Sequence, residues 1–496
     1  MMRIKSAPDE IENYLRDASN MAGGFAEKVL LPDSTEEVAS ALRDASHTRT
    51  PVTIAGAGTG IVGGRVPFGG IIISTERLNQ IGPIERSMSG GSGKAGAGVL
   101  LDSYVRETAK AGLLYPPDPT EWSCSIGGTV ATNASGARTF KYGPTRNYVE
   151  RLDVALSSGE ILDIERGRFF ADENGRFSIN LASGKVLSGQ VPGYSMPRTR
   201  KNASGYFAKP GMDMIDLFIG SEGTLGVVTT VRTRLLPLPQ EVLGAIVFFR
   251  TEKGLLNFVR EARSLSLDKS STVGLEARAI EYFDPKSLSM LREKFKTVPE
   301  ETAGAIFFEQ ELDGRDEERV MEHWLQLMEQ SGAMVEESWF GTNEADRKRL
   351  REFRHALPVL VNEWLAHHGQ RKVSTDMAVP DDEFADMLAF YVASLAATNL
   401  NYVIFGHIGD NHLHVNILPR DNEEAAAARG LYLEFVERAV AAGGTVSAEH
   451  GIGKLKRDYL RVLYGDRFLR EMAALKHVFD PAGILGRGIM FSEELI

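Results

Sequence analysis

Glycine is crowded into particular stretches of this chain, and the crowding limits what those stretches can become. Seven glycines fall between Gly56 and Gly70; the density stays high to Gly143, returns at Gly220–Gly226 and thins after Pro239. Interior glycine weakens a helix or strand by roughly 0.5–1 kcal/mol relative to alanine, so such stretches become loops between short elements. Where side chains are missing, main chain can also press against a large ligand. The total, 50 glycines in 496 residues, exceeds the usual level of about 7%. Fractions of 43% hydrophobic and 25% charged residues are those of a globular protein and exclude disorder, collagen or coiled coil as the main class. At roughly 150 residues per domain, the length suits two large units or three smaller ones.

Charge and cysteine remove further classes. A net charge of −11 lacks the basic surface that nucleic acid requires. A single cysteine, Cys124, excludes an internal disulfide, a Cys-rich zinc site and an iron–sulfur cluster held by this chain alone. The opening MMRIKSAPDEIENYL has no apolar core of a secretory signal, and no apolar run approaches the ~20 residues of a membrane span. The expectation is a cytoplasmic protein, with peripheral membrane association and a homodimer left open.

The runs PVTIAGAG and GGIIIST read as strands, and GAGVLLDSYVRETAKAGLL as strand into helix. Leu217–Ile219 and Leu225–Thr230 read as strands around a GSEG turn, and Leu235–Gln240 as a linker broken by two prolines. Beyond it AIVFFR, GLLNFVREARSL, AIEYFD, GAIFFEQEL and ERVMEHWLQLMEQSG alternate strand and helix patterns, an α+β unit. Val379–Thr398 reads as a helix with Asp381 at its N-cap, and FDPAGILGRGIMF as a tail packing back on another domain.

Two nucleotide motifs fail on context. Gly58-Thr59-Gly60-Ile61-Val62-Gly63 satisfies G-x-G-x-x-G, and Glu76 lies at the spacing of a ribose-binding acid. The sequel, Gly64-Arg65-Val66-Pro67-Phe68-Gly69-Gly70, is one no helix tolerates. The run is therefore a loop between strands whose N–H groups can cradle a phosphate. Ser89–Gly96 lacks the first glycine and the final Ser or Thr of a Walker A loop and reads as an exposed turn.

Small residues and backbone amides also dominate Pro116-Pro117-Asp118-Pro119, Ser123–Gly136, KNASGY (Lys201–Tyr206) and LFIGSEGTLGVVT (Leu217–Thr229). With AGAGTGIVGG and YPPDPTEWSCSIGGTVATNASGARTFKYG, these segments resemble the flavin-binding half of vanillyl-alcohol-oxidase-type FAD proteins, in the subgroup of D-lactate, glycolate and D-2-hydroxyglutarate dehydrogenases. The resemblance runs from about Pro32 to the carboxy terminus in family order. It implies an α+β fold: a two-subdomain, PCMH-type FAD-binding domain (1–240), a substrate or cap domain with an antiparallel sheet (241–459), and a C-terminal segment (460–496) returning to the first. It puts Gly56, Ala57, Gly58, Thr59, Gly60 and Gly63 on the pyrophosphate. Around the flavin it puts Pro116, Asp118, Ser123, Gly127, Gly128, Asn133, Gly136, Tyr142 and Gly143, with Glu222, Gly223 and Val228 near them. Some relatives attach flavin through a histidine in the first loop; Gly56–Gly64 has none, which implies non-covalent FAD.

The second half is marked by histidine. In GHIGDNHLHVN, strand alternation puts His412, His414 and Asn416 on one face, and His407 can fold over the Gly-Asp-Asn turn toward His414. Ser447-Ala448-Glu449-His450-Gly451 follows later. Two imidazoles and a carboxylate with open positions form a catalytic set for zinc, manganese or iron. Solvated or satisfied core histidines are the plain alternative, and for any one of them alone it would win. The resemblance makes His407, His414 and Glu449 ligands, zinc or manganese the metal, and His450 the base. Relatives often have Gly-Asn where this chain has Asn411-His412; the extra imidazole could be a further ligand, touch substrate or sit on the rim, and the last two are favoured, beside Asn416. The resemblance makes Arg354 and Lys372 the candidate carboxylate clamps, the latter at altered spacing from Asp376, with an ordinary surface charge the plain alternative for both. Near the end, Gly486-Arg487 stands where relatives carry an asparagine.

Oxidising a 2-hydroxy acid needs such a set, because an alcohol is too weak an acid to ionise at neutral pH. A cation stabilises the alkoxide, an imidazole takes the proton and flavin takes the hydride. The expectation is metal-assisted, FAD-dependent oxidation of a D-2-hydroxy acid to the 2-oxo acid, passing electrons to an external quinone, electron-transfer flavoprotein or cytochrome. The rivals are a same-fold flavoenzyme for another alcohol, a metallohydrolase, and a non-catalytic flavin scaffold.

Overall fold

A parallel strand trio opens the structure, because the chain between its strands is long enough to cross over. The computed structural model describes residues 2–268, 270, 274–341 and 343–495. Lys28–Leu31, Ile71–Ser74 and Val52–Ala55 lie side by side in parallel, and Arg3–Lys5 adds an antiparallel edge. Helix Thr35–Thr48 makes the crossover; Ser34 caps it through Glu37 N, and Val38, Leu42 and Ala45 bury one stripe. Leu485 pairs in parallel with Val52, so the end of the chain completes this layer.

A second sheet is antiparallel, ordered Ile81–Ser87, Gly90–Gly96, Val227–Pro237, Val149–Ala155, Ile161–Glu165, with Leu113–Leu114 beside the end of Val227–Pro237. The third has seven strands, all antiparallel: Trp339–Gly341, Val242–Phe249, Gly304–Glu311, Ala277–Phe283, Asn401–His407, His412–Leu418 and Val373–Ser374. Its central strands are buried on both faces. Along Val242–Phe249, Val247 and Phe249 meet Phe258, while Ile246 and Phe248 join the cluster of Phe353 and Leu357. Burial on both faces explains why these strands read as continuous apolar runs rather than alternating ones.

Four elements differ from expectation. Gly90–Gly96 is a strand, not an exposed turn. Its glycines serve close approach: a Cβ on Gly93 would lie 2.3 Å from the Tyr104 hydroxyl, and one on Gly96 2.1 Å from the Leu78 carbonyl. Leu217 and Phe218 belong to a short helix, Ile215–Phe218, because the segment is buried on all sides. Leu235–Pro237 continues the strand Val227–Pro237, where Leu236 and Pro237 face Leu114 and Leu113. The later helix starts at Phe384, and Asp381 instead pairs with Arg200 and accepts from Asn411 Nδ2. Among the described residues no helix is long and apolar enough to cross a membrane.

Candidate active site

The loop after Val52–Ala55 opens a cleft of about 340 Å³ whose floor is main chain. Of the residues expected at the cofactor, Gly56, Gly58, Thr59, Gly60, Gly127, Gly128, Glu222, Gly223 and Val228 line it, as do Ser125, Thr132 and Ser135. A Cβ on Gly60 would meet nothing within 4 Å and would project into open space, whereas Gly127 lacks one because Ala97 lies 2.6 Å away. A wide cleft floored by glycine amides fits a large, flat, anionic cofactor. Cys124 also lines the cleft, and burial pushes its thiol up to about 12.

Other residues expected there lie around the cleft rather than on its walls. Ala57 lines a neighbouring pocket with Tyr14 and Glu76. Gly63 turns the loop at φ +74°. Pro116 and Tyr142 are buried, Ser123 hydrogen-bonds Glu121, and Asp118 accepts from Trp122 Nε1 at 3.1 Å. Asn133, at φ +49°, donates to the Asn202 carbonyl and accepts from Arg146 N. Gly136 packs on backbone, since a Cβ there would lie 1.8 Å from the Asp118 carbonyl, and Gly143 ends a short helix at φ +79°.

The histidines converge because of one hairpin. Asn401–His407 and His412–Leu418 pair in a register that opposes His407 to His412 and Phe405 to His414. Asn411 closes the turn at φ +54°, a left-handed position asparagine tolerates. The rings of His407, His412 and His414 stand 4.5–5.6 Å apart, and one ligand atom from each, with one from Glu449, fall within 4.8 Å of one another. His412 is fully buried at the centre, so it does not sit on a rim as expected. The strand register carries it inward with His407.

Each imidazole has a protein acceptor beside it, hydrogen-bonded at His407 and His414 and in close contact at His412. His414 Nδ1 lies 3.0 Å from the Thr375 carbonyl, which can only accept, so Nε2 bears the lone pair. His407 Nδ1 bonds the Glu281 carboxylate, and its Nε2 faces Glu449 Oε1 at 3.3 Å. His412 Nε2 lies 3.1 Å from Asp376 Oδ1. Metal-ligating histidines characteristically have such outer partners. Burial and Lys201 would lower His407, yet Glu449 and Glu281 outweigh them and lift it to about 9. Burial holds His412 down at about 4, and burial with two neighbouring imidazoles holds His414 well below the usual range. Burial would raise Glu449, but Lys201 and His407 draw it well down; the Lys201 ammonium is 2.6 Å from Oε1.

His450 stands where cleft and pocket meet. It lines the cleft, and its ring stacks 5.6 Å from that of His414. Its Nδ1 is 3.2 Å from Asp376 Oδ2, which turns Nε2 outward. Asp376 is wholly buried and also takes Ser447 Oγ and Lys456 Nζ, each at 2.6 Å, and the N–H groups of Glu449 and His450. Burial alone would raise this carboxyl, but His450, Lys456 and His412 hold it far below its ordinary value. Glu222 joins the two halves by accepting from Ile452 N at 2.7 Å and Gly453 N at 2.8 Å; burial pushes it up to about 7.

Of the substrate candidates, Arg354 is half-buried and pairs through Nε with Glu281, the carboxylate that orients His407. Asn416 is buried with Oδ1 unpartnered. Lys372 is exposed, next to the edge strand Val373–Ser374. Arg487 donates from Nε to the Gly483 carbonyl at 2.9 Å. Asp376, Glu281 and Lys201 went unassigned in the sequence. Glu281, a lone acid inside the apolar AIEYF run, carried the one visible signal.

A glycine-floored cleft joined through Glu222 and His450 to a histidine–carboxylate pocket defines the class, a flavin-dependent oxidoreductase. Residues 239–489 match the family of FAD linked oxidases, C-terminal domain, residues 26–165 match an FAD binding domain, and the chain belongs to the FAD-linked oxidases. It is 31% identical to a D-lactate dehydrogenase of Anaerostipes hadrus, with 97% of this chain and 93% of that protein covered. It is 28% identical to the glycolate oxidase subunit GlcD of Bacillus subtilis (97% and 92% covered). To a D-2-hydroxyglutarate dehydrogenase of Xanthomonas citri pv. viticola it is 29% identical (99% and 94% covered). A solved alkyldihydroxyacetonephosphate synthase shares the fold at TM-score 0.65 and 15% identity, covering 97% of this chain and 82% of that one.

Proposed function

We propose that this enzyme oxidises a small D-2-hydroxy acid, of the D-lactate or D-2-hydroxyglutarate kind, to the 2-oxo acid. One observation carries the reading: His450 lines the cleft and borders the His407–His414–Glu449 pocket at once. The names of the D-lactate, glycolate and D-2-hydroxyglutarate relatives support the substrate class. Residues 1–240 would hold FAD, 241–459 the substrate and metal, and 460–496 return to the first, a division supported by the Leu485–Val52 bridge.

Non-covalent FAD, when bound, supplies the hydride acceptor, and a divalent cation, zinc or manganese, supplies Lewis acidity at the hydroxyl. The substrate loses one hydride from Cα and one proton from the hydroxyl, and the chain manages the proton. His450 receives it at Nε2 while Asp376 fixes the ring through Nδ1. His407, His414 and Glu449 would hold the cation. The Arg354 guanidinium would face the substrate carboxylate from its anchorage on Glu281, with Lys372 and Asn416 at the substrate. With Cys124 the lone cysteine, electrons leave to an external quinone, electron-transfer flavoprotein or cytochrome.

Dye-linked turnover by FAD- and metal-loaded protein tests this. D-2-hydroxy acids should yield 2-oxo acids, L-isomers should not, and chelation should stop turnover until zinc or manganese is restored. His450→Ala should lower kcat by about 10²–10⁴ with flavin retained. Undiminished turnover in His450→Ala would remove the imidazole from the reaction.

A further inference from the structure

Resting on the metal reading above, we propose that His412 is a fourth protein ligand, so that this chain holds its cation in a cage of three imidazoles and one carboxylate.

His412 is fully buried, and among the described residues neither of its ring nitrogens makes a hydrogen bond. A buried polar atom left unsatisfied costs about 1–3 kcal/mol. Nε2 nonetheless lies 3.1 Å from the acidic Asp376 Oδ1, a contact that draws the ring proton to that side and leaves Nδ1 to present a lone pair. That lone pair faces Glu449 Oε1 at 3.8 Å. Two acceptors facing each other in a buried pocket repel, unless a cation sits between them.

The surroundings repeat one pattern three times. Glu281 takes His407 Nδ1, the Thr375 carbonyl takes His414 Nδ1, and Asp376 lies against His412 Nε2. In each ring the remaining nitrogen turns toward Glu449, at 3.3, 3.9 and 3.8 Å respectively. Outer acceptors of this kind fix the tautomer and raise the basicity of a ligand nitrogen. His412 has the same arrangement, with its outer acceptor in close contact at 3.1 Å rather than hydrogen-bonded. Lys201 and Ser135 also reach Glu449 Oε1, at 2.6 and 3.3 Å. They steady the carboxylate without reaching His412 by a hydrogen bond.

The cage bears on the substrate. In six-coordination, four protein donors leave two positions, the number a 2-hydroxy acid needs to bind through hydroxyl and carboxylate together. A nitrogen-rich donor set also favours zinc, cobalt or iron over magnesium and calcium.

The test uses full-length, FAD-loaded protein stripped of metal. Titration with Co²⁺, followed by its visible absorption, should give one ion per chain for wild type. For His412→Asn it should give one ion bound at least about 10-fold more weakly, with altered absorption and unchanged flavin content. Because a core variant can misfold, pulsed EPR on the Mn²⁺-loaded wild type supplies an independent count, three coordinated imidazoles expected. Two imidazoles, or equal affinity and spectrum in His412→Asn, overturns the four-donor cage and leaves the proposed function standing. No Co²⁺ or Mn²⁺ bound by wild type overturns the cage together with the metal-assisted reading.

Discussion

Asp376 holds more of the site than any other single side chain. Its two oxygens meet Ser447, Lys456, His412, His450 and two backbone N–H groups while wholly buried. Its folded pKa is depressed, so the stability it contributes is present above about pH 4 and is lost as the pH falls toward its folded value. Asp376→Asn leaves the buried Lys456 ammonium unpaired and should cost about 3–5 kcal/mol at neutral pH. Denaturant unfolding checks this, and an unchanged midpoint would show the ion pair to be dispensable. The residue-scale site was half legible. His407 and His414 declare themselves by residue type and short spacing, and His450 by standing beside Glu449 among glycines. Asp376 and Glu281 reach them across 74 and 126 residues, and no local pattern encodes contacts of that range.

At the scale of elements, the hairpin 401–418 was readable because two apolar runs flank a Gly-Asp-Asn turn, and the structure pairs them in that register. The strand Gly90–Gly96 was not, because glycine signals a turn and close packing equally; Tyr104 and Leu78, which demand the second meaning, lie elsewhere in sequence. Under the hairpin, Asp284 caps the helix Pro285–Leu291 by accepting from Ser287 N at 2.7 Å. Burial pushes its carboxyl up to about 6. A carboxyl raised in the folded state binds its proton more tightly there, so stability falls as the pH climbs from about 4 to 6. Asp284→Asn keeps a cap and removes the buried charge. Its melting temperature should exceed wild type at pH 8, by up to about 3 kcal/mol of stability, and lose that margin below pH 4. A margin independent of pH would place the effect elsewhere.

Across the whole molecule, glycine and histidine mark two halves, and the structure shows what joins them. Glu222, in the turn on the cleft side, accepts from the loop that carries His450. Lys476 binds the Thr224 and Leu485 carbonyls and the buried Asp480, tying that turn to the returning tail. The chain's net charge foretold none of this, since coupling of the halves depends on a few buried groups. If cleft and pocket form one site, a D-2-hydroxy acid must reduce the flavin. Anaerobic mixing of FAD- and metal-loaded protein with D-lactate or D-2-hydroxyglutarate should bleach the yellow flavin within the turnover time, and the L-isomers should leave it coloured. A flavin that stays oxidised with every D-2-hydroxy acid offered would contradict the account.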